Sequence, residues 1–113
     1  MSAITTHVLD TSRGRPASGV KIVLEREVAG AVTTLGLGET DADGRLRDLL
    51  ASGAPLAAGT YRLVFQTGSY FAAQGLDAFY PEVSIVFQVK DGAAHFHVPL
   101  LLSPFGYSTY RGS

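Results

Sequence analysis

The chain carries three histidines, His7, His95 and His97. Imidazole is the side chain most easily poised between acid and base near neutral pH. His95 and His97 stand two apart in a stretch that alternates like a strand, so they share a face, with Phe96 and Val98 opposite. His7 shares its face with Thr5 and Leu9. His-x-His on a strand is also a metal-ligand spacing, and with His7 it would make a three-histidine zinc site able to activate water. Against that, the chain has no Cys, and Glu82 and Asp91, which flank the nearest strand, fall in turns. Each imidazole taken alone also fits a plainer role, as a surface or hydrogen-bonded structural side chain.

Other patterns start toward a motif and stop. Glu39-Thr40-Asp41-Ala42-Asp43-Gly44 begins like a calcium loop, but its twelfth position is Leu50, where a bidentate Glu is needed. A hairpin turn is the better reading. Gly36-Leu37-Gly38 lacks the third glycine of a dinucleotide loop. Gly106-Tyr107-Ser108-Thr109 starts like a nucleophile elbow and does not finish as one. The C-terminus is unusual for a tail, because Phe105, Tyr107, Tyr110 and Arg111 fall within the last ten residues. Chain ends are ordinarily polar and frayed, so these aromatics predict an ordered strand that packs in the core or forms a contact.

The elements that must position these groups are strands. Val20, Ile22 and Leu24 alternate with polar neighbours, as do Tyr61, Leu63 and Phe65, and Val83, Ile85, Phe87 and Val89. Period two with β-branched and aromatic residues is the mark of a half-buried strand. Further strands are expected over Ile4 to Leu9, Ala31 to Gly38, Ala94 to Leu102 and Tyr107 to Arg111. Asp41-Ala42-Asp43-Gly44, Asp91-Gly92 and Pro104-Phe105-Gly106 carry turn chemistry. Only Ser69 to Gly75 has a helical pattern, and a short one. Ala51 to Gly59 reads as a surface loop. Many short strands at regular spacing predict an all-β sandwich.

Composition narrows the function. The chain has 113 residues, enough for a single domain over 1–113 with its own core. Charged residues make up 17%, against about 25% in ordinary domains, which hints at surface covered by another chain. A formal net charge of −1 argues against nucleic acid or anionic membrane as a main partner, because both demand a basic excess. Without Cys there are no disulfides, thiolate metal sites or cysteine nucleophiles. Residues 1–7 have neither a charged n-region nor an apolar h-region, and apolar runs are too short to span a membrane. A cytoplasmic protein is the expectation.

Taken together, the segments resemble the 5-hydroxyisourate hydrolases, the transthyretin-like proteins of purine breakdown. Thr6-His7-Val8-Leu9-Asp10 with Gly14-Arg15-Pro16-Ala17 is similar to the family's first signature. Thr40-Asp41-Ala42-Asp43-Gly44-Arg45 resembles its central motif, with Asp41 where Asn is frequent. Gly59 to Phe65 and Phe79-Tyr80-Pro81-Glu82-Val83 resemble further blocks. His95 to Ser113 resembles the closing signature, ending in its hallmark Tyr110-Arg111-Gly112-Ser113, with Phe96 where Tyr is common. The resemblance covers essentially the whole chain.

It implies a transthyretin-type two-sheet sandwich with one short helix. It also implies a homotetramer, a dimer of dimers, with active sites in a channel between dimers. The reaction would be hydrolytic opening of 5-hydroxyisourate to 2-oxo-4-hydroxy-4-carboxy-5-ureidoimidazoline, without metal or other cofactor. The implied catalytic residues are His7, Arg45, His97 and Ser113, and the implied substrate-binding residues are His7, Arg45, Tyr110 and Arg111. Imidazoles would move protons between water and the leaving ring nitrogen, and Arg45 would hold substrate oxygens. His95 is expected to be a structural neighbour. A transthyretin-like carrier without catalysis is the alternative on the same fold.

Overall fold

Alternating apolar side chains need a second layer to cover them, and here each of two sheets covers the other. The structure, a computed structural model, describes residues 3–50, 56–92 and 94–113. Its strands are β1 (Ile4–Asp10), β2 (Arg15–Pro16), β3 (Lys21–Val28), β4 (Ala31–Glu39), β5 (Arg45–Leu46), β6 (Gly59–Phe65), β7 (Val83–Val89), β8 (Phe96–Ser103) and β9 (Gly106–Thr109). One helix, α1 (Thr67–Ala72), follows β6. One sheet runs β4-β3-β6-β7 and is antiparallel throughout. The other runs β2-β1-β8-β9, with β5 also pairing β1. In it, β1 and β8 lie parallel.

The expected sandwich is thus observed, and so are its inward faces. Ile22, Leu24, Tyr61, Leu63, Phe65, Val83 and Val89 are buried from one sheet, and Ile4, Val8, Val98, Leu100 and Leu102 from the other. Burying a side chain such as Phe65 or Leu100 contributes ~1.5–3 kcal/mol. Asp10 is buried among them at 0% exposure, and its carboxylate accepts hydrogen bonds from the Ser12 amide and hydroxyl, the Arg13 amide and the Tyr70 hydroxyl. That set ties the turn after β1 to α1.

The elements differ from the expected ones mainly at their ends. β8 begins at Phe96, because the Ala94 amide closes the preceding turn by donating to the Asp91 carbonyl. The helix starts at Thr67, where Thr67 is buried and the Gly68 amide donates to the Pro81 carbonyl, and it ends before Gly75. β9 stops at Thr109, short of Arg111. Of the loop expected over Ala51 to Gly59, residues 51–55 lie outside the described residues, and Gly59 already belongs to β6. Among the described residues no helix is long and apolar enough to cross a membrane.

β3 and β4 are joined by a two-residue turn, Ala29-Gly30, with φ of 50° and 81°. Positive φ at both positions matches the right-handed twist of the flanking strands, but a residue with a Cβ pays ~1–2 kcal/mol for it, whereas Asn tolerates it. Ala29→Asn should therefore stabilise the fold by about 1 kcal/mol, read as a melting temperature roughly 4–8 °C higher. An unchanged or lower melting temperature contradicts this account of the turn.

Candidate active site

Strand alternation sends Ile4, Thr6 and Val8 inward from β1, and Thr5, His7 and Leu9 outward. The ladders then choose their neighbours. Thr5 pairs with His97 across β1 and β8, and His7 pairs with Arg45 across β1 and β5. Chain segments some ninety residues apart thus place two imidazoles, a hydroxyl and a guanidinium on one outer sheet face. Thr5, Arg45 and His97 border a polar cavity of about 270 Å³, whereas His7, beside Arg45, does not line it. Arg45, His95, His97 and Ser113 line it, with Thr5, Thr6 and Arg47.

The turn before β5 delivers Arg45. Asp41 Oδ1 accepts from the amides of Asp43 (2.9 Å) and Arg45 (3.0 Å). The Arg45 amide is the main cause that holds the Asp41 carboxyl below its usual range. Asp in place of Asn therefore serves the turn equally well. Gly44 sits at φ 76°, and a Cβ there would come 2.4 Å from the Val8 carbonyl oxygen. The turn lies flush on β1, with the Val8 amide donating to the Gly44 carbonyl at 2.7 Å.

The same turn fixes His7. Its Nε2 lies 2.8 Å from the Asp43 carbonyl oxygen. A carbonyl can only accept, so Nε2 carries the proton and Nδ1 holds the lone pair of the neutral ring.

His97 is half-buried, with Nδ1 2.8 Å from Thr5 Oγ1. Burial, then the positive Arg45 and the rings of His7 and His95, lower its pKa below the ordinary 6.5. The charged form is disfavoured, and His97 is neutral at pH 7. Its Nε2 makes no hydrogen bond within the described residues and is open to water or ligand. The C-terminal segment closes the other side of the ring. The Gly112 amide donates to the His97 carbonyl at 2.8 Å, and a Cβ on Gly112 would lie 2.6 Å from His97 Cδ2. Only glycine lets the backbone lie flat there, and it leaves Ser113 at the cavity.

The structure does not bring every expected residue to this cavity. Tyr110 and Arg111 line a separate apolar groove of about 250 Å³ with Val86, Phe87 and Phe96. The Arg111 guanidinium stacks 4.6 Å from the Phe96 ring centroid and donates to the His95 carbonyl. Within one chain, neither stands beside His97's free nitrogen. Two contributors were not picked out from sequence, Thr5 and Arg47, and Gly112 stood there only as a member of the terminal motif, without a role of its own. Thr5 shares the His7 face in the alternation, which was its only signal. Among the described residues no three His, Asp or Glu side chains stand close enough to hold a metal ion.

The model of the HIUase/Transthyretin family matches residues 4–112. A 5-hydroxyisourate hydrolase 2 of Rhizobium meliloti is 50% identical over 114 residues, covering 97% of this chain and 95% of that protein. The solved structure of Klebsiella pneumoniae 5-hydroxyisourate hydrolase superposes with a TM-score of 0.85 at 44% identity, over 97% of this chain and 98% of that one. Sea bream transthyretin in complex with thyroxine superposes with a TM-score of 0.91 at 33% identity, over 98% and 95%.

Proposed function

Since the chain belongs to the HIUase/transthyretin family, we propose that its outer-face cavity opens the ring of 5-hydroxyisourate by attack of water, the activity named for its relatives from Rhizobium and Klebsiella. The observation that carries the mechanism is His97. It is a neutral imidazole with one nitrogen anchored to Thr5 and the other free, beside a cationic Arg45. A carrier has no need of that arrangement, whereas a hydrolase does, so the enzyme is favoured over the transthyretin-like carrier.

His97 Nε2 takes a proton from water as the water attacks a ring carbonyl. Arg45 makes no ion pair among the described residues, so its donors are available to the oxyanion that develops, where charge counts most. His7 stands beside Arg45 on the same face, and its Nδ1 lone pair can accept a hydrogen bond from the attacking water or from a substrate N–H. Ser113 contributes its hydroxyl as an orienting group at the cavity. The C–N bond breaks, His97 Nε2 hands the nitrogen the proton it took from water, and the water oxygen stays in the new carboxyl group, which releases its remaining proton to solvent as the carboxylate forms. No metal or cofactor takes part in this scheme. Tyr110 and Arg111 hold the terminal segment in place and are assigned no direct substrate contact within one chain.

The cavity is open on one side, and exposed apolar side chains such as Leu37, Phe79 and Phe105 are each at least 70% accessible. Both features support assembly into a homotetramer, in which a facing copy covers the site and excludes water. The single domain would then work in the cytoplasm, consistent with a chain without Cys. Light scattering should give about four times the 11.9 kDa chain mass. A fully active monomer contradicts the covered-site model.

The general base must be neutral, so activity should persist as pH falls to 6.5 and decline only below it, where His97 gains its proton. A pH–rate profile already falling well above 6.5 contradicts His97 as the base. Product identity tests the function itself. Fresh 5-hydroxyisourate incubated with the protein in ¹⁸O-water should yield a ring-opened carboxylate carrying one solvent oxygen, sooner than in a blank. Binding without accelerated turnover favours the carrier.

A further inference from the structure

Thr5 Oγ1 lies between two imidazoles, 2.8 Å from His97 Nδ1 and 3.2 Å from His95 Nε2. A hydroxyl has one proton, so it donates to one nitrogen and accepts from the other. Two arrangements satisfy both contacts. In the first, His97 Nδ1–H donates to Thr5, Thr5 donates to His95 Nε2, and the His97 lone pair sits on Nε2, facing the cavity. In the second, His95 Nε2–H donates to Thr5, Thr5 donates to His97 Nδ1, and His97 presents an N–H to the cavity. Only the first leaves a base at Nε2.

His95 is exposed, whereas Thr5 is 3% exposed and cannot turn to water for another partner. We propose that His95 is a positioning residue which, through the Thr5 hydroxyl, decides which nitrogen of His97 carries the proton. This deepens the reading of His97 as general base and rests on it. A neutral His95 permits the first arrangement. A protonated His95 has hydrogen on both ring nitrogens, so it imposes the second and switches the base off.

Other polar and charged groups face His97 as well: His7 from β1, Arg45 from β5 with Arg47 just beyond it, and Ser113 from the last segment. Arg111 reaches the His95 carbonyl, not its ring. These groups act on His97 through space and raise or lower its affinity for a proton. Only Thr5 and His95 can select between its two neutral forms, because only they touch Nδ1 directly or through one hydroxyl.

Two readouts test this. The first needs no substrate: ¹⁵N NMR of the imidazoles in the intact protein across pH. In the parent, the neutral His97 ring should carry its proton partly on Nδ1 when His95 is neutral and wholly on Nε2 once His95 is charged. In Thr5→Val that correlation should vanish, and in Thr5→Ser it should return. The second is the pH dependence of turnover. The acid limb of kcat should be one proton shallower in His95→Ala than in the parent.

At neutral pH, Thr5→Val should lower kcat by about 10- to 100-fold with KM little changed, less than the ~10⁴ lost when a carboxylate-held tautomer is wrong. Thr5→Ser should restore most of it. A His97 tautomer that ignores the titration of His95, or an acid limb unchanged in His95→Ala, overturns the proposal. If the parent turns over no 5-hydroxyisourate while the NMR correlation holds, the coupling of the His97 tautomer to His95 stands and the substrate assignment falls.

Discussion

His97→Ala should lower kcat for 5-hydroxyisourate by ~10²–10⁴-fold, the range that a positioned acid–base group contributes. The reasons are local. His97 Nδ1 is held by Thr5, its Nε2 is free at the cavity, and burial together with Arg45 keeps it neutral. Nothing else on this face replaces that nitrogen. His7 is turned by its bond to the Asp43 carbonyl, and His95 lies behind Thr5. The substitution should hardly affect the fold, because His97 projects from the sheet face opposite Phe96 and Val98, which are the core residues of that stretch. Steady-state kinetics with a parallel thermal melt decide this. A variant that melts like the parent and keeps its kcat removes His97 from the mechanism.

Deleting residues 110–113 should be nearly as damaging to activity and far less so to stability. Tyr110, Arg111 and Ser113 are exposed, and none of the four belongs to the core. What the fold loses is the Gly112 amide's hydrogen bond to the His97 carbonyl, the Arg111 side chain's hydrogen bond to the His95 carbonyl, and the stacking of Arg111 on Phe96. Each hydrogen bond contributes ~0.5–1.5 kcal/mol at most, and an exposed cation–π contact ~0.5–1 kcal/mol. The site loses more. The backbone that lies flat against the imidazole goes, and so does Ser113 at the cavity. A fall in kcat of about 10²-fold is expected, comparable to losing a general acid–base group. Gly112→Ala separates the parts: it keeps Ser113 and the chain length but drives a methyl into the ring edge. It too should cost activity, with the melt close to the parent's. A truncated chain with the parent's turnover would show that the terminal segment is no part of the site.

Much of this was legible in the residues. Alternation alone located the long strands and told which side chains of β3, β6 and β7 face inward. It also told that His95 and His97 share a face away from Phe96 and Val98. What it could not supply is pairing. β2 and β5 are two residues each, and they exist only because β1 offers them a ladder. No local pattern marks them, and Arg15-Pro16 looks like the turn that surrounds it. The parallel register of β1 with β8, which puts Thr5 against His97, is a tertiary fact. Thr5 therefore went unnoticed as a partner of two imidazoles.

The terminal segment shows the same limit. Tyr110, Arg111, Gly112 and Ser113 are consecutive, but the chain leaves β9 after Thr109 and pairs with the β8 backbone again at Gly112. Tyr110 and Arg111 thus face the apolar groove, while Gly112 and Ser113 reach the polar cavity. A motif read as one unit divides its work between two surfaces. The glycine's role is visible only once the imidazole it lies against is in place.

The most direct measurement places the parent and His97→Ala side by side with freshly generated 5-hydroxyisourate near neutral pH, and follows the ultraviolet decay of the substrate against its spontaneous rate. The account predicts that the parent accelerates the decay in proportion to its concentration, while the variant, equally folded, stays close to the spontaneous rate. A parent no faster than the blank, or a variant as fast as the parent, would contradict it.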